Sequence, residues 1–477
     1  MDKSWAISGG AAGAGGWSVD LHLHLDAKGA GPRSGVRKSL TDALREAVRG
    51  GRLAPGTRLP SSRTLAADLG IARNTVADAY ADLVAEGWLT ARQGSGTRVA
   101  ARDVPRPAAP ARPPRVSGAP VHDLMPGTPD VTSFPRAEWL KAARRALAAA
   151  PDDAFGYGDP RGRIELRTAL AAYLSRARGV HADPDRIVIV PGFMHGLTLL
   201  GDWLSARGLR RIAVESYGLD LHWDRLARTG LRTEPLGADE RGTRTDGLAG
   251  HKALLITPAH QFPTGVALHP DRRAAAVDWA RRADGLILED DYDGEFRYDR
   301  QPVGALQGLD PDRVVYLGTA SKSLAPGLRL AWMVLPAALA SEVAELKFAA
   351  GASSGVLDQL ALAEFMTSGA YDRHVRSARL RYRRRRDQLV AAVADSAPDV
   401  EVTGIAAGLH AVLQLPPGTE QSVVHAASWQ RLGLQGLSRF RHPKATVPPR
   451  DGLVVGYGTP TDHAWRATLE ALCRVLP

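Results

Sequence analysis

Cysteine is almost absent from this sequence. Cys473 is the single cysteine among 477 residues, so an intramolecular disulfide and a metal centre built on several cysteines are excluded. Long apolar runs are missing as well. No segment offers the ~20 apolar residues of a membrane span, and the N-terminal residues lack the apolar stretch of a secretion signal. We therefore predict a cytoplasmic protein with no membrane segment and no metal site.

Acidic residues are fewer than basic ones. The chain has 51 Asp and Glu against 61 Lys and Arg, which gives a formal net charge of +10. An excess of positive charge favours polyanionic partners, but an Arg-rich and Ala-rich composition carries the same excess without any function. Charge alone therefore does not decide the partner.

A stretch rich in Pro, Ala and Arg at residues 101–120 divides the chain. Stretches of this composition are extended, semi-rigid spacers. A chain of 477 residues also exceeds what one hydrophobic core normally organises. We predict a small domain over residues 18–100, a linker over 101–120 and a large domain over 121–477.

The small domain has the pattern of a helix-turn-helix. Leu40, Leu44 and Val48 recur at helical spacing. The segment "SSRTLAADLG" begins with serines that cap a helix and ends on Gly70, and "RNTVADAYADLVAEG" forms a further amphipathic helix. Two short strands joined by a Gly-Ser-Gly turn follow in "WLTARQGSGTRV", and "WSVDLHLHLD" at residues 17–26 predicts one earlier edge strand. This order predicts a winged helix-turn-helix.

A winged helix-turn-helix places one helix in the major groove of DNA. The first turn of that helix points its side chains at base edges and its free N–H groups at phosphate. The candidate DNA-contacting residues open the second helix, the third helix and the wing: Arg63, Arg73, Asn74, Thr75, Gly94, Gly96 and Arg98. The same arginines also fit the surface of a helical protein-interaction module, and their spacing does not separate the two readings.

Residues 50–100 resemble the winged-helix domain of the GntR family of bacterial transcription regulators. The motifs "PGTRLPSSRTLA", "RNTV" and "GSGT" carry the resemblance. It implies double-stranded operator DNA as a partner, with contacts made by the residues named above. One departure is Ala72, where the family often has a serine, and losing such a helix cap costs roughly 1 kcal/mol.

The large domain alternates apolar strands with helical stretches. The strands are "RIVIV", "RIAVES", "ALLITPA", "GLILEDDY", "RVVYLGT" and "RLAWMVL". This alternation predicts an α/β fold with a mainly parallel sheet and helices on both faces. Beyond residue 337, a long helix around "HVRSARLRYRRRRDQLVAAV" and a strand-rich end predict a smaller C-terminal lobe.

Lys322 lies between a hydroxyl-rich turn and an apolar strand in "YLGTASKSLAPGLRLAW". A lysine that anchors pyridoxal phosphate must be partly desolvated. The cofactor also needs a carboxylate at its ring nitrogen, a hydroxyl at its phenolic oxygen, and hydroxyls, amides and an arginine at its phosphate. Candidates lie at strand ends, where open α/β sheets bind ligands: Asp290 and Tyr292 for the ring, and Thr319, Ser321 and Arg329 for the phosphate. Singly, each fits a surface charge or a solvated acidic turn better; together they favour a cofactor site.

The motifs "TPAHQFPTGVAL", "EDDYDGEFRYDRQP", "YGDPRG" and the lysine segment resemble the aminotransferase-like domain of the MocR/GabR subfamily of GntR regulators. The resemblance extends from about residue 35 over nearly the whole chain. It implies the fold-type-I architecture of pyridoxal-phosphate-dependent aminotransferases, with large and small lobes. It also implies Lys322 as the Schiff-base lysine, with the ring and phosphate contacts named above.

The same resemblance implies further residues. In "PGFMHG", it assigns the phosphate-binding backbone to Gly192, Phe193 and Met194. Tyr157 resembles the tyrosine that reaches the phosphate of the neighbouring subunit, which implies a homodimer. His260 and Gln261 match the motif without a defined role.

Three departures from the subfamily pattern concern the pocket. Ala320 replaces a common phenylalanine before the Ser-Lys pair. After "VES" the chain reads Tyr-Gly-Leu, where the subfamily more usually has Pro-Gly-Tyr. The aromatic ring that stacks on the cofactor is therefore Tyr217 or is absent. The strand "GLVVGYG" lacks the arginine that aminotransferases use to bind a substrate carboxylate, which leaves three candidates elsewhere: Arg439, Arg441 and Arg450. The basic run "RLRYRRRR" is most simply a solvated helix face, with a supplementary DNA contact as second choice.

The sequence predicts a pyridoxal-phosphate-dependent transcription regulator. Its aminotransferase-like domain senses an amino compound or a B6 vitamer through aldimine chemistry at Lys322. One alternative is an active aminotransferase that carries a DNA-binding appendage. Another is a regulator that has lost the cofactor, against which the complete set of Lys322, Asp290 and Tyr292 argues.

Overall fold

The structure is a computed structural model that describes residues 34–92, 95–101, 120–298 and 303–477. The chain divides into two compact units after residue 117. The predicted strand at residues 17–26, Gly94 and most of the predicted linker lie outside the described residues. The predicted domain limits therefore stay predictions.

The first unit is a helix-turn-helix followed by a two-stranded antiparallel wing, as predicted. Its elements are α1 (Ser34–Arg49), α2 (Ser62–Leu69), α3 (Arg73–Ala85), β1 (Leu89–Arg92) and β2 (Gly96–Val99). Ser61 caps α2, because its hydroxyl accepts a hydrogen bond from the amide of Thr64 at 3.1 Å, and Gly70 ends that helix with φ 64°. The apolar faces of the three helices share one buried core.

The second unit contains the remaining elements. Its strands are β3 (His122–Asp123), β4 (Ile187–Val190), β5 (Arg211–Val214), β6 (Arg232–Pro235), β7 (Ala238–Asp239), β8 (Gly242–Thr243), β9 (Ala253–Ile256), β10 (Leu286–Asp290), β11 (Val314–Thr319), β12 (Ala331–Val334), β13 (Glu401–Thr403), β14 (Ala411–Gln414), β15 (Leu432–Gly433), β16 (Gln435–Gly436) and β17 (Gly452–Val455). Its helices are α4 (Arg136–Ala149), α5 (Ile164–Arg178), α6 (Phe193–Ala206), α7 (Asp220–Arg228), α8 (Pro270–Ala283), α9 (Ala337–Ala349), α10 (Val356–Thr367), α11 (Ala370–Ser396), α12 (Glu420–Trp429) and α13 (Trp465–Cys473).

Seven strands form the central sheet in the order β4-β12-β11-β10-β9-β5-β6. The strands from β11 to β6 are parallel to one another, which confirms the predicted mainly parallel sheet. However, β12 runs antiparallel to both of its neighbours. Its direction was not predictable, because a strand buried on both faces shows the same apolar run in either direction. The short edge strand β6 was not predicted, since its sequence "RTEP" is polar and ends in proline.

Helices cover both faces of this sheet because alternate side chains of each strand point to opposite sides. Ile187 and Ile189 lie in one buried core with side chains of α5 and α10. Val188 and Val190 lie in another with side chains of α6 and α9. None of the helices in the described part of the chain is long and apolar enough to cross a membrane.

The C-terminal lobe has the predicted long helix and strand-rich end. The helix is α11, and an antiparallel sheet follows in the order β13-β14-β17-β16. Leu389 and Val393 of α11 belong to the core beneath this sheet. The lobe therefore has a hydrophobic core of its own.

Candidate functional site

A cavity lies at the edge of the central sheet where β10 and β11 end. Asp290 is the last residue of β10 and Thr319 the last of β11. The two strands are parallel neighbours, so their carboxyl ends lie side by side. Both residues line one cavity of about 200 Å³ together with Tyr292, Ser321 and Lys322. The structure thus brings these predicted site residues together.

The acidic residues at the end of β10 differ in what they bind. Glu289 accepts hydrogen bonds from two backbone amides at 2.7 and 2.9 Å. Asp291 forms a buried ion pair with an arginine at 2.7 Å, and Asp293 lies 2.8 Å from His260. Asp290 is 6 % exposed and faces the cavity, and no donor in the described part of the chain reaches its carboxylate. The segment is therefore not a solvated acidic turn.

Burial raises the pKa of Asp290 well above its usual range, and repulsion from Asp291 adds to the effect, whereas Lys322 opposes it. A buried carboxylate without a donor is costly. A cationic group in the cavity beside Asp290 would remove that cost. The protonated ring nitrogen of pyridoxal phosphate has the required charge.

Lys322 is half-buried and lines the same cavity. Its Nζ donates a hydrogen bond to the carbonyl of Gly127. Burial lowers the pKa of Lys322, while the charges of Asp290 and Asp293 oppose the shift. A lower pKa increases the share of the neutral, nucleophilic amine. Gly127 lies 195 residues earlier in the chain, and no motif in the sequence pointed to it.

Three of the residues predicted at the phosphate lie near the start of α6. Gly192 precedes this helix with φ 112°, and a Cβ atom there would lie 2.6 Å from the guanidinium of Arg329. The first N–H groups of α6 have no partner within the helix, as at any helix start, and such groups bind anions. Phe193 lines the cavity, whereas Gly192, Met194 and Arg329 do not.

The hydroxyls of Thr319 and Ser321 lie 2.9 Å apart, and the amide of Ser321 donates to Thr319 at 3.1 Å. Arg329 comes just before β12. Because β12 is antiparallel, its amino end lies at the same sheet edge as the carboxyl ends of β10 and β11. The topology thus brings an arginine from the start of one strand to hydroxyls at the end of another.

The hydroxyl of Tyr292 contacts the buried pair of His260 and Asp293. This hydroxyl lies 3.1 Å from Nδ1 of His260, and the same nitrogen lies 2.8 Å from the carboxylate of Asp293. The side chains of His260 and Asp293 are each 2 % exposed. Burial raises the pKa of Tyr292, so its hydroxyl keeps its proton. Gln261, by contrast, donates to Thr243 at 3.2 Å and does not line the cavity.

Other residues of the cavity wall were not singled out by the sequence. His222 packs on Phe193 with ring centroids 4.8 Å apart, and burial lowers the pKa of His222 to about 4. Glu215 accepts hydrogen bonds from Thr257 and Thr243, and burial raises the pKa of Glu215 to about 7. These residues have no motif of their own, and only packing brings them to the cavity.

Tyr217, the proposed stacking residue, lines the cavity and is 3 % exposed. Its hydroxyl is buried and has no hydrogen-bond partner in the described part of the chain. Tyr157 lies elsewhere: it is fully exposed and lines a different cavity beside Lys347. Ala320 is fully buried in the core and does not line the cavity.

No arginine in the described residues lines the cavity around Lys322. Of the three candidates for a carboxylate-binding arginine, Arg439 pairs with Asp220 at 2.6 Å. Arg441 donates to two backbone carbonyls at 2.6 and 2.7 Å, and Arg450 is exposed. The carboxylate clamp of an aminotransferase is therefore not among the side chains of this wall.

The predicted DNA-contacting side chains lie on the surface of the first unit. Arg63, Arg73 and Asn74 are exposed, and Thr75 is half-buried in the first turn of α3. Gly96 opens the second wing strand with φ 83°, and Arg98, also exposed, donates to the carbonyl of Gly56 at 3.0 Å. Ala72 makes no side-chain cap for α3.

The fold and the site together define a class of protein: a winged helix-turn-helix followed by an aminotransferase-like domain of fold type I. Residues 36–99 match the family described as bacterial regulatory proteins, gntR family. Residues 126–435 match aminotransferase class I and II, whose members typically bind pyridoxal phosphate.

The chain also resembles whole regulators. It is 34 % identical over 458 residues to the HTH-type pyridoxine biosynthesis transcriptional regulator PdxR of Corynebacterium glutamicum, covering 92 % of this chain and 95 % of that protein. It is 32 % identical over 462 residues to the probable rhizopine catabolism regulatory protein MocR of Rhizobium meliloti, covering 92 % and 93 %. The chain belongs to the MocR family and is an HTH-type transcriptional regulator with an aminotransferase-like domain.

Solved structures support the fold of the second unit. An archaeal alanine:glyoxylate aminotransferase matches with a TM-score of 0.68 and 24 % identity, covering 76 % of this chain and 91 % of that one. A kynurenine aminotransferase of Pyrococcus horikoshii matches with a TM-score of 0.67 and 23 % identity, with the same coverage. At this level of identity the likeness concerns the fold alone.

Proposed function

We propose that this regulator uses pyridoxal phosphate as its sensor and holds it through Lys322. The observation that carries the proposal is the carboxylate of Asp290, which is buried, lacks a donor among the described residues and lies within electrostatic reach of Lys322. When bound, the cofactor supplies an aldehyde that reacts with primary amines and a ring nitrogen that pairs with a carboxylate. Asp290 and Lys322 fit these two groups.

The remaining contacts follow from the same arrangement. Tyr292 keeps its proton and donates to the phenolic oxygen, with His260 and Asp293 fixing its hydroxyl. Tyr217 covers the ring, and its buried hydroxyl is free to reach the ligand. The phosphate is held by residues around the start of α6 and the end of β11: Gly192, Phe193, Met194, Thr319, Ser321 and Arg329.

The wall of the cavity supports an effector without a tightly bound carboxylate. Since no arginine of the described residues lines it, a small amine or a B6 vitamer fits better than an amino acid held at both ends. The relative from Corynebacterium glutamicum is named for pyridoxine biosynthesis, which supports the vitamer. The missing clamp also disfavours an active aminotransferase; sustained turnover of an amino acid with a keto acid would reverse that preference.

A homodimer is part of the proposal. Tyr157 is fully exposed, and Phe155 and Phe348 beside it are 53 % and 68 % exposed. Large apolar side chains grouped on a surface favour a protein partner. A second copy that covers them would bring Tyr157 to the phosphate site of its neighbour.

The cofactor is tested by absorbance. Purified protein mixed with pyridoxal phosphate should show a visible band, and borohydride reduction should fix the cofactor on the peptide that contains Lys322. Lys322→Ala should lose both signals, because it removes the amine that holds the cofactor. The matched control is Lys141→Ala, at an exposed position of α4 outside this cavity. A band that survives Lys322→Ala, or disappears equally in the control, contradicts the proposal.

A further inference from the structure

A separate cavity of about 400 Å³ lies between the end of α5, the segment after β10, and α11. We call it the arginine cavity, because five arginines and one acid are among its lining residues: Arg176, Arg178, Arg297, Arg376, Arg379 and Asp372. None of them lines the cavity around Lys322. A concave surface with this excess of guanidinium groups creates a strong positive potential.

Two of these arginines are held in fixed positions. Arg178 is 4 % exposed and forms the buried ion pair with Asp291. Arg379 donates to the backbone carbonyl of Glu295 through Nε at 3.0 Å and through a terminal nitrogen at 2.7 Å. A guanidinium oriented in advance loses less side-chain entropy when it binds an anion.

The acids near this cavity do not cancel its charge. Asp372 is paired with Arg176 at 2.8 Å, and Asp291 is paired with Arg178. Glu295 is buried and accepts a hydrogen bond from the hydroxyl of Tyr371 at 3.3 Å, so these three acids oppose five arginines even when all are ionised. Positive charge therefore remains on the side of the cavity formed by α11.

Arg376 is the lining arginine that has no partner among the described residues. It is exposed on α11, and in the described residues no hydrogen bond or ion pair involves it. The basic run just after it was expected to be a solvated helix face, but Arg385 is 2 % exposed and pairs with Asp462. The arginines of α11 therefore have different roles, and Arg376 and Arg379 share the arginine cavity.

We propose that the arginine cavity binds a small phosphorylated anion. Guanidinium groups match the oxygens of phosphate with paired hydrogen bonds, and the cavity presents them from a helix end and a facing helix. Its concave shape favours a compact ligand over a DNA duplex, whose phosphates lie on a convex surface. This site is separate from the cofactor site and does not depend on the proposed function.

The test uses the full chain with inorganic pyrophosphate as the probe. The protein is first mixed with pyridoxal phosphate, and absorbance records whether that cofactor binds. Thermal midpoints are then measured against pyrophosphate at constant ionic strength, and a saturable stabilisation is expected. Arg376→Ala should weaken the apparent affinity about tenfold, since a hydrogen bond to a charged group contributes about that factor. Arg384→Ala, an exposed arginine of the same helix outside the cavity, should leave it unchanged.

Three results would overturn the proposal. One is the absence of saturable stabilisation, or equal weakening by Arg376→Ala and Arg384→Ala. Another is a stabilisation that persists in Arg376→Ala but is lost in Arg329→Ala, because pyrophosphate would then occupy the proposed cofactor site. The third is weaker binding of Arg376→Ala to a short DNA duplex with unchanged pyrophosphate affinity, which would make this face a DNA contact.

Discussion

At the scale of single residues, neighbouring acids have different roles because they have different partners. The segment "EDDYD" supplies four acids, and three of them are satisfied by protein groups. Asp290 differs because its carboxylate faces the cavity without a donor among the described residues. The sequence predicted Asp290 from its spacing to Tyr292. It did not predict the partners of Glu289, Asp291 and Asp293, because those partners lie in distant segments of the chain.

Gly192 offers a test of the phosphate site. A methyl group at this position would lie 2.6 Å from the guanidinium of Arg329, so Gly192→Ala should displace the arginine and weaken pyridoxal phosphate binding. A φ of 112° is unstrained for glycine but strained for alanine, so the substitution should also lower the free energy of unfolding by about 1–3 kcal/mol. Absorbance titration measures the first effect and urea unfolding the second.

The matched control for this test is Gly208→Ala. Gly208 has φ 83°, and a methyl group there would meet no other atom within 4 Å, so its substitution brings strain without displacing Arg329. Stability should fall while cofactor affinity stays the same. Equal loss of affinity in both variants would show that strain, and not the position of Arg329, weakens binding.

Glu215 should make the free energy of unfolding depend on pH. Its pKa is about 7 in the folded protein against the ordinary 4.5, so the folded state holds a proton that the unfolded state releases between these values. The stabilisation is complete below the lower value and is lost as the pH rises through the higher one. Glu215→Gln removes this loss of stability at high pH, because glutamine does not ionise. Relative to the wild type, the variant should gain up to about 3 kcal/mol of unfolding free energy between about pH 5 and pH 8.

Urea unfolding across this pH range measures the difference. Glu240→Gln, at an exposed position, serves as the control and should keep a constant offset from the wild type. A constant offset for Glu215→Gln as well would mean that its carboxyl is not buried as described.

At the scale of elements, strand direction and helix ends decide what the side chains do. The antiparallel β12 brings Arg329 to the edge where β10 and β11 end, which a parallel strand would not do. Helix starts matter in the first unit. Ser61 caps α2 with a hydrogen bond, whereas Ala72 at the equivalent position before α3 has none.

The missing cap predicts a gain from Ala72→Ser. Ala72 already has the extended backbone of a capping residue, φ −66° and ψ 137°, so a serine hydroxyl should accept a hydrogen bond from the first turn of α3. The expected stabilisation is about 1 kcal/mol. Slower hydrogen exchange at the amides of α3 in the full chain measures it.

Ser61→Ala is the reverse control, and it should speed exchange in α2 by a similar free energy. If Ser61→Ala has this effect and Ala72→Ser has none, the start of α3 is satisfied in another way.

At the scale of the whole molecule, regulation needs an effector that binds two states of the protein with different affinity. The chain carries a DNA-binding unit and an aminotransferase-like unit, and each has its own core. The family shows that the protein is a transcription regulator. Which residues contact DNA stays a prediction.

Arg73→Ala tests the recognition helix. Arg73 is exposed and begins α3, so its loss should weaken binding to an operator fragment about tenfold or more, since one good base contact contributes about 1–3 kcal/mol. Affinity measured at several salt concentrations also reports whether a phosphate contact is lost. Arg49→Ala, an exposed arginine in the last turn of α1, removes the same charge and should change little. Unchanged operator affinity in Arg73→Ala would contradict the assignment.

The sequence by itself determined the helix-turn-helix, the wing and the alternating α/β order, and it predicted Lys322, Asp290, Tyr292, Ser321 and Arg329 as one cofactor site. These features depend on local spacing, caps and periodicity, which the chain carries in short segments. Only the tertiary structure decided which acid of "EDDYD" lacks a partner, which direction β12 runs and where the arginines of α11 point. These depend on contacts between segments far apart in the chain, such as Lys322 with Gly127, and no local pattern records them.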